Sequence, residues 1–292
     1  MQTWLPVNKV QLLVKRDDLN HPEVSGNKWR KLKYNLEEAQ NAGKTGLLTF
    51  GGAYSNHLAA TAAAARLMGW KSIGFVRGEP PYPLNPTLSF AQSCGMELQY
   101  LDRAAYRERC KGKGTESWQA DYWILPEGGS NLLALKGCAE LAEECYEQLG
   151  SWPDFLCVAA GTGATAAGLI CGAPEKCRVL AFPVLKGDFM EKEIQHFLEP
   201  AGQGHKTNWQ VIPDYHFGGY ARYDQNLISF INETKSRYGI PLDPVYTGKL
   251  FFGVADLLEK GYFPEGSTVL LIHTGGLQGI EGFNRRFGNL IV

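Results

Sequence analysis

Phe155-Leu156-Cys157-Val158-Ala159-Ala160-Gly161-Thr162-Gly163-Ala164-Thr165-Ala166-Ala167-Gly168 runs from six apolar residues through a small-residue turn into an alanine-rich stretch. Read locally it is a buried strand, a tight loop and a helix. In that geometry the loop N–H groups and the helix N-terminus can face an anion, with the Thr162 and Thr165 hydroxyls beside them. No Gly-Lys-Ser/Thr ends the loop, so it is not a Walker loop. It also lacks G-x-G-x-x-G and an acid ~20 residues later, so a single phosphate suits it better than a pyrophosphate. The competing reading is a turn whose glycines serve close packing alone.

Outward from this segment the same alternation repeats. Strands are expected at Val10–Lys15, Gly46–Phe50, Ser72–Val76, Leu98–Leu101, Tyr122–Leu125, Phe155–Ala159, Arg178–Phe182 and Val269–His273. Helical patterns lie at Lys28–Ala42, Ser55–Met68, Leu132–Leu149, Thr165–Cys171, Gln225–Tyr238 and Gly248–Lys260. Leu132, Leu135, Cys138, Leu141, Ala142, Cys145 and Leu149 mark the apolar face of the clearest helix. Strand–helix alternation of this kind predicts an α/β fold with parallel sheets covered by helices on both faces. Pro80-Pro81-Tyr82-Pro83 reads as a surface loop and Lys111-Gly112-Lys113-Gly114 as a solvated turn.

The chain has 292 residues, 29 basic and 30 acidic side chains, and a formal charge of -1. That balance argues against a dedicated nucleic-acid binder. No apolar run approaches the ~18–20 residues of a membrane span, and Met1 to Leu19 lacks the pattern of a secretory signal. The seven cysteines are odd in number and show no C-x-x-C pair. They read as reduced, mostly buried hydrophobes rather than metal ligands. A cytoplasmic protein without a metal is expected. Its 34 glycines, about 12% against a usual ~7%, cluster where apolar runs end.

Three further pieces carry candidate chemistry. Lys28 follows Gly26-Asn27 at the start of an amphipathic helix, beside Arg30 and Lys31. A helix N-terminus and cationic neighbours destabilise its ammonium and favour the neutral amine that C=N bond formation with an aldehyde requires. A solvated basic helix start is the alternative. In Leu48-Thr49-Phe50-Gly51-Gly52-Ala53-Tyr54-Ser55-Asn56-His57 a strand meets two glycines and Ser55 can cap the next helix. Ser55, Asn56 and His57 either present polar side chains into a cleft at the carboxyl end of a strand, or serve as cap, surface and core. Tyr220 and Tyr246, each flanked by turn-formers, read as loop phenols or as packing residues.

Taken in order along the chain, these blocks resemble the tryptophan-synthase-β-like (fold type II) family of pyridoxal 5'-phosphate enzymes. Within it they are most similar to the branch of 1-aminocyclopropane-1-carboxylate deaminase and D-cysteine desulfhydrase. The resemblance runs through Lys15-Arg16-Asp17-Asp18, Gly26-Asn27-Lys28 with Arg30-Lys31-Leu32, Gly51-Gly52 with Ser55-Asn56-His57, and Pro126 with Gly128-Gly129-Ser130-Asn131. It continues through Gly161-Thr162-Gly163, Asp243-Pro244-Val245-Tyr246-Thr247-Gly248-Lys249 and Thr274-Gly275-Gly276. It implies a two-domain parallel-sheet fold, with residues 1–36 and 126–292 as the large cofactor-binding domain and 37–125 as the small one. It also implies a homodimer.

By the same resemblance Lys28 would hold the cofactor covalently and shuttle the substrate α-proton. Asn56 would bond the cofactor's ring hydroxyl. Gly161, Thr162, Gly163, Ala164 and Thr165 would hold the phosphate, with Lys31 adding charge, and Thr247 would face the pyridine nitrogen. Ser55, Tyr220 and Tyr246 would act in catalysis, and Ser55, Asn56, His57 and Tyr246 would line the substrate side. Cyclopropane deaminases typically place Glu where Thr247 stands and Gln where His57 stands. A hydroxyl donating to an unprotonated pyridine nitrogen makes a milder electron sink than a carboxylate, which suits loss of a good β-leaving group. Tyr54 and Ala59 depart from the Gln and Arg common at their positions. The reaction implied is α-deprotonation and β-elimination from a small D-amino acid such as D-cysteine, giving pyruvate, ammonia and sulfide. Cyclopropane-ring opening to 2-oxobutyrate, or cofactor holding without substantial turnover, are the alternatives.

Overall fold

A computed structural model describes residues 1–7 and 9–292. Two sheets divide the strands. The larger has β1 (Gln2–Val7), β2 (Val10–Lys15), β7 (Phe155–Ala160), β8 (Arg178–Pro183), β9 (Trp209–Val211) and β10 (Thr268–Ile272), in the order β1-β2-β10-β7-β8-β9. Only the β1–β2 pair is antiparallel. The smaller is wholly parallel, in the order β5-β4-β3-β6, from β3 (Gly46–Gly52), β4 (Lys71–Arg77), β5 (Met96–Leu101) and β6 (Tyr122–Ile124).

The four inner strands of the large sheet, β2, β10, β7 and β8, are apolar on both faces, as a parallel sheet between two helix layers requires. Leu13, Leu156, Val158, Leu270 and Ile272 point to one core, under α5 (Leu132–Leu149) and α6 (Ala164–Gly172). Leu12, Val14, Cys157, Val269 and Leu271 point to the other, under α8 (Gln225–Tyr238) and α9 (Thr247–Glu259). The small sheet is likewise covered by α2 (Asn56–Met68) and α3 (Pro86–Ser93) on one side, and by α4 (Arg103–Cys110) through Tyr106 on the other. Leu132, expected on the apolar face of α5, is instead 49% exposed.

All eight strands and six helices read from the sequence are present within a few residues of their expected ends. The elements not anticipated were short or lay at edges. Strand β1 is an edge containing Pro6, and β9 has three residues. Helix α4 buries only Tyr106 among charged residues, and α3 opens on Pro86 directly behind a proline-rich loop. Helices α7 (Met190–Leu198) and α10 (Gly279–Phe287) are one or two turns of apolar contact.

Helix α1 (Asn27–Asn41) is what the rest positions. Its Arg30 makes a two-pronged pair with Asp17, at 2.9 and 3.0 Å, and also reaches Glu144 on α5. Asp17 accepts the Gly26 amide on its carbonyl, so the Lys15-Arg16-Asp17-Asp18 block ties the end of β2 to the start of α1. Helices α1, α5 and α6 then stack at backbone distance. A Cβ on Gly137 would lie 2.0 Å from the Arg30 carbonyl oxygen, and one on Gly168 would lie 2.3 Å from the Cys138 side chain. The motif glycine Gly168 therefore serves helix packing.

At a free helix position alanine is favoured over glycine by about 1 kcal/mol. Here that sign reverses, because the added methyl must push α1 off α5. Gly137→Ala is expected to lose about 2–3 kcal/mol of stability, seen as a lower urea midpoint with unchanged slope.

Candidate active site

The loops at the carboxyl ends of both sheets converge on the first turn of α1. Gly26, with φ +66, admits no side chain, since a Cβ there would lie 1.9 Å from the Thr274 carbonyl oxygen. Asn27 donates its amide to that carbonyl at 3.2 Å and its side chain to Thr165 Oγ1 at 3.0 Å. The blocks 26–31, 161–165 and 274–276, distant in sequence, thus share one wall. The 128–130 segment closes it from the small-sheet side. Lys28 Nζ donates to the Gly128 carbonyl at 3.3 Å, and Lys31 Nζ to the same carbonyl at 3.1 Å and to Ser130 Oγ at 3.0 Å.

These two lysines lack carboxylate partners among the described residues. Burial, then the neighbouring Lys31 charge, lowers the Lys28 pKa well below its ordinary value, so the amine is readily deprotonated. Lys31 is 2% exposed, and burial pulls it down to about 8. Two amines on successive turns are therefore poised differently: Lys28 toward the neutral form, Lys31 still mostly charged at pH 7.

Beside them, the Gly161–Thr165 loop opens α6 without a side-chain cap. The amides of Gly161, Thr162, Gly163, Ala164 and Thr165 donate to no backbone acceptor among the described residues. Ser130 Oγ and Thr162 Oγ1 lie 2.7 Å apart, which links this loop to Lys31. Free amides at a helix N-terminus, two threonines and an ammonium make a cradle for a dianion.

On the opposite sheet, Ser55 caps α2, accepting from the Leu58 amide at 3.3 Å. The amides of Asn56 and His57 are left without backbone acceptors, forming a second anion-facing helix end. Asn56 reaches across to the Thr274–Gly276 loop: a Cβ on Gly276 would lie 2.9 Å from Asn56 Nδ2 and 3.5 Å from Asp243 Oδ1. Tyr246 lies against the cradle, its ring 3.2 Å from where a Gly161 Cβ would stand. Burial, with Tyr220 adjacent, raises its pKa well above the ordinary phenol value. The Tyr220 ring, 48% exposed, meets it edge-on at 6.2 Å and 76°.

Two expected residues sit differently. His57 is 1% exposed, beneath the site rather than on its surface. Thr49 donates to the Leu125 carbonyl at 3.1 Å, so its oxygen accepts from His57 Nε2 at 2.8 Å, which leaves Nδ1 as an unpartnered acceptor against Gly129. Burial, with Lys28 and Lys31 nearby, lowers its pKa well below 6.5, so the ring is neutral. Thr247 is fully buried. Its hydroxyl donates to Asp243 Oδ1 at 2.7 Å and accepts from the Asp243 amide at 2.9 Å. The proton that a hydroxyl would offer a pyridine nitrogen is held by Asp243, leaving only a lone pair.

Residues without an expected role complete the wall. Ser130 and Asp243 lie inside the recognised blocks, where their polarity was the available signal. Thr49 sits mid-strand in an apolar run and carried none. Among the described residues no cluster of potential metal ligands occurs, and no helix is long and apolar enough to cross a membrane.

A model of the family described as pyridoxal-phosphate dependent enzyme matches residues 5–275. The chain is 32% identical to a mitochondrial bifunctional D-cysteine desulfhydrase/1-aminocyclopropane-1-carboxylate deaminase of Arabidopsis thaliana, across 94% of this chain and 74% of that protein. It is 26% identical to a D-cysteine desulfhydrase of Klebsiella pneumoniae, across 94% and 89%. The crystal structure of an ACC deaminase homologue aligns with a TM-score of 0.84 at 30% identity, covering 96% of this chain and 89% of that one. The donor set fits a phosphorylated aldehyde: an amine that burial shifts toward its neutral form, a second amine still mostly charged and a row of unused amides.

The Lys31 shift gives a stability signature. Between pH 8 and its unfolded value near 10.4, the unfolded chain holds a proton at Lys31 that the folded chain has lost, so this contribution rises with pH. Relative to Lys31→Met, the cofactor-free protein is expected to gain on the order of 3 kcal/mol across that interval, read by urea unfolding at successive pH values.

Proposed function

Since the chain belongs to the pyridoxal-phosphate dependent enzymes, we propose that it is a deaminating lyase acting on a small amino acid. Its principal reaction in this reading is β-elimination from a D-amino acid such as D-cysteine, with pyruvate, ammonia and hydrogen sulfide as products. The observation that carries it is the Lys28 amine, held toward neutrality between an anion cradle on one sheet and a helix N-terminus on the other.

Pyridoxal phosphate, when bound, supplies an electron-withdrawing ring that stabilises negative charge at the substrate α-carbon. In this reading Lys28 Nζ is its attachment point. The Gly161–Thr165 amides, the Thr162 and Thr165 hydroxyls and Lys31 hold the phosphate, and Asn56 and Thr247 orient the ring. The substrate carboxylate is taken by the Asn56 and His57 amides with Ser55 Oγ at the start of α2, which fixes the α-hydrogen toward Lys28. Lys28 Nζ, as a neutral amine, would remove that proton. His57, neutral and buried, contributes to the site's floor through Thr49, and its place on the substrate side is limited to its amide. Tyr246, whose phenol resists ionisation, can donate a proton toward a departing sulfur and stays protonated between turnovers.

Thr247 favours a substrate with its own leaving group. It is neutral, and the charge of Asp243 lies one hydrogen bond behind it. Less negative charge therefore reaches a group bound there than from a carboxylate in direct contact. The Tyr220–Tyr246 pair favours the second reading, opening of 1-aminocyclopropane-1-carboxylate to 2-oxobutyrate and ammonia, because ring opening needs a proton delivered to carbon. We take the lobes as 1–36 with 126–292 and 37–125, which agrees with the four small-sheet strands lying between Gly46 and Ile124. The resemblance supports a homodimer, and seven cysteines standing as free thiols support a cytoplasmic location.

Sulfide release from D-cysteine measured beside 2-oxobutyrate formation from the cyclopropane amino acid separates the readings. D-cysteine is expected to be turned over faster. Lys28→Ala is expected to lose about 10³-fold or more in turnover, and to retain no borohydride-fixed cofactor by mass spectrometry. A fixed cofactor or undiminished rate in that variant removes Lys28 from its role.

A further inference from the structure

One buried charge lies outside the groups used above. Lys249, on the first turn of α9, is 1% exposed. No carboxylate pairs with it among the described residues. Asp243, which acts on it through space, has both oxygens occupied by the Val245, Tyr246 and Thr247 amides and the Thr247 hydroxyl. Lys249 Nζ instead donates to two backbone carbonyls, His216 at 2.8 Å and Gly219 at 2.7 Å.

Those carbonyls belong to an unusual turn. Phe217, Gly218, Gly219 and Ala221 have φ of +54, +90, +124 and +53, and left-handed conformations at the two non-glycine residues are uncommon without an external hold. The turn's own hydrogen bonds are local: the Gly219 amide to the His216 carbonyl, the Gly218 amide to His216 Nδ1, and the Arg222 amide to the Gly219 carbonyl. From outside, α9 supplies Lys249 and, one turn on, Phe252, whose ring meets Phe217 at 5.1 Å. Tyr220 sits between the left-handed residues and faces Tyr246, the residue preceding α9.

We propose that Lys249 is a positioning residue: its two hydrogen bonds to the His216 and Gly219 carbonyls hold the turn that carries Tyr220, and so set that phenol against Tyr246. One helix then registers both phenols, Tyr246 through the Asp243 cap at its start and Tyr220 through Lys249. The link to catalysis rests on the reading of the phenol pair given above. Filling space alone would be served by methionine. A lysine whose pKa burial has pulled down to about 8 is retained at a cost that only its donors offset.

The test uses the full chain loaded with pyridoxal phosphate, as Lys249→Met, Lys249→Gln, Tyr220→Phe and the Lys249→Met/Tyr220→Phe double variant. In Lys249→Met, hydrogen exchange at the Gly218, Gly219 and Arg222 amides is expected to quicken about tenfold or more, with α5 unchanged. With D-cysteine, kcat is expected to fall about tenfold with KM within about threefold, and the double variant to be no slower than its slower parent. Lys249→Gln keeps two N–H donors and is expected to recover part of both effects. Should Lys249→Met not fold, the glutamine variant carries the same comparisons with smaller changes. Unchanged exchange in the turn, or losses that multiply in the double variant, overturns the proposal. Wild-type turnover in Tyr220→Phe defeats the phenol reading instead, and the exchange data then decide whether Lys249 holds the turn.

Discussion

An amine that must be neutral near pH 7 has to be kept from every carboxylate in reach, and the surroundings of Lys28 are arranged around that constraint. Its partner is an uncharged carbonyl, Gly128, shared with Lys31. No carboxylate pairs with the Lys28 amine among the described residues, and its lowered pKa follows from burial and then the Lys31 charge. Arg30, two residues on, bonds Asp17 and Glu144, and Lys15 also reaches Glu144. Arg30 anchors α1 to the end of β2 and to α5, which fixes the helix that carries the amine.

The second requirement is two anion-facing helix ends that look at the same amine from different sheets. Parallel strands supply this because every carboxyl end lies at one edge of its sheet, where the following helix begins. Helix α6 after β7 and α2 after β3 each leave amides unpaired. Lys28 belongs to neither unit, but α1 bridges them by packing on α5 and approaching α2. The clash of a Gly137 Cβ with the Arg30 carbonyl shows how little slack that bridge has. A shift of α1 by one methyl moves Lys28 Nζ relative to both cradles.

Much of this was legible in the chain because the signals were local. The six apolar residues before Gly161 fixed a doubly covered strand, and the glycine-rich loops marked strand ends, whereas Lys28 beside its basic neighbours left two readings open and took its expected role from the resemblance of all the blocks together. What stayed hidden depends on partners far away in sequence. Nothing at His57 tells that Thr49, mid-strand and eight residues earlier, holds its ring inward, because Thr49 does so only by first giving its own proton to Leu125. Lys249 looks like a surface lysine on a helix. Its burial follows from the left-handed turn 30 residues upstream, which offers two carbonyls with no other donor from outside. Hydrogen-bond direction is a property of networks, whereas periodicity belongs to single segments.

Thr247 shows what this means for inferring a substrate from one letter. As an isolated hydroxyl it would be a neutral donor, as different as possible from the glutamate typical of cyclopropane deaminases. In the fold its proton is committed to Asp243, whose carboxylate is in turn fixed by three backbone amides. What remains at Oγ1 is a lone pair backed by a negative charge. A lone pair of that kind accepts from a protonated ring nitrogen, as a carboxylate does, only more weakly. The pair Thr247–Asp243 therefore lies between the two extremes of electron demand. Position 247 taken alone separates desulfhydration from ring opening less sharply than its letter implies, and the remaining discrimination falls to groups that deliver protons to the leaving atom. In the proposed reaction those are the phenols of Tyr220 and Tyr246, which meet edge-on beside the start of α9.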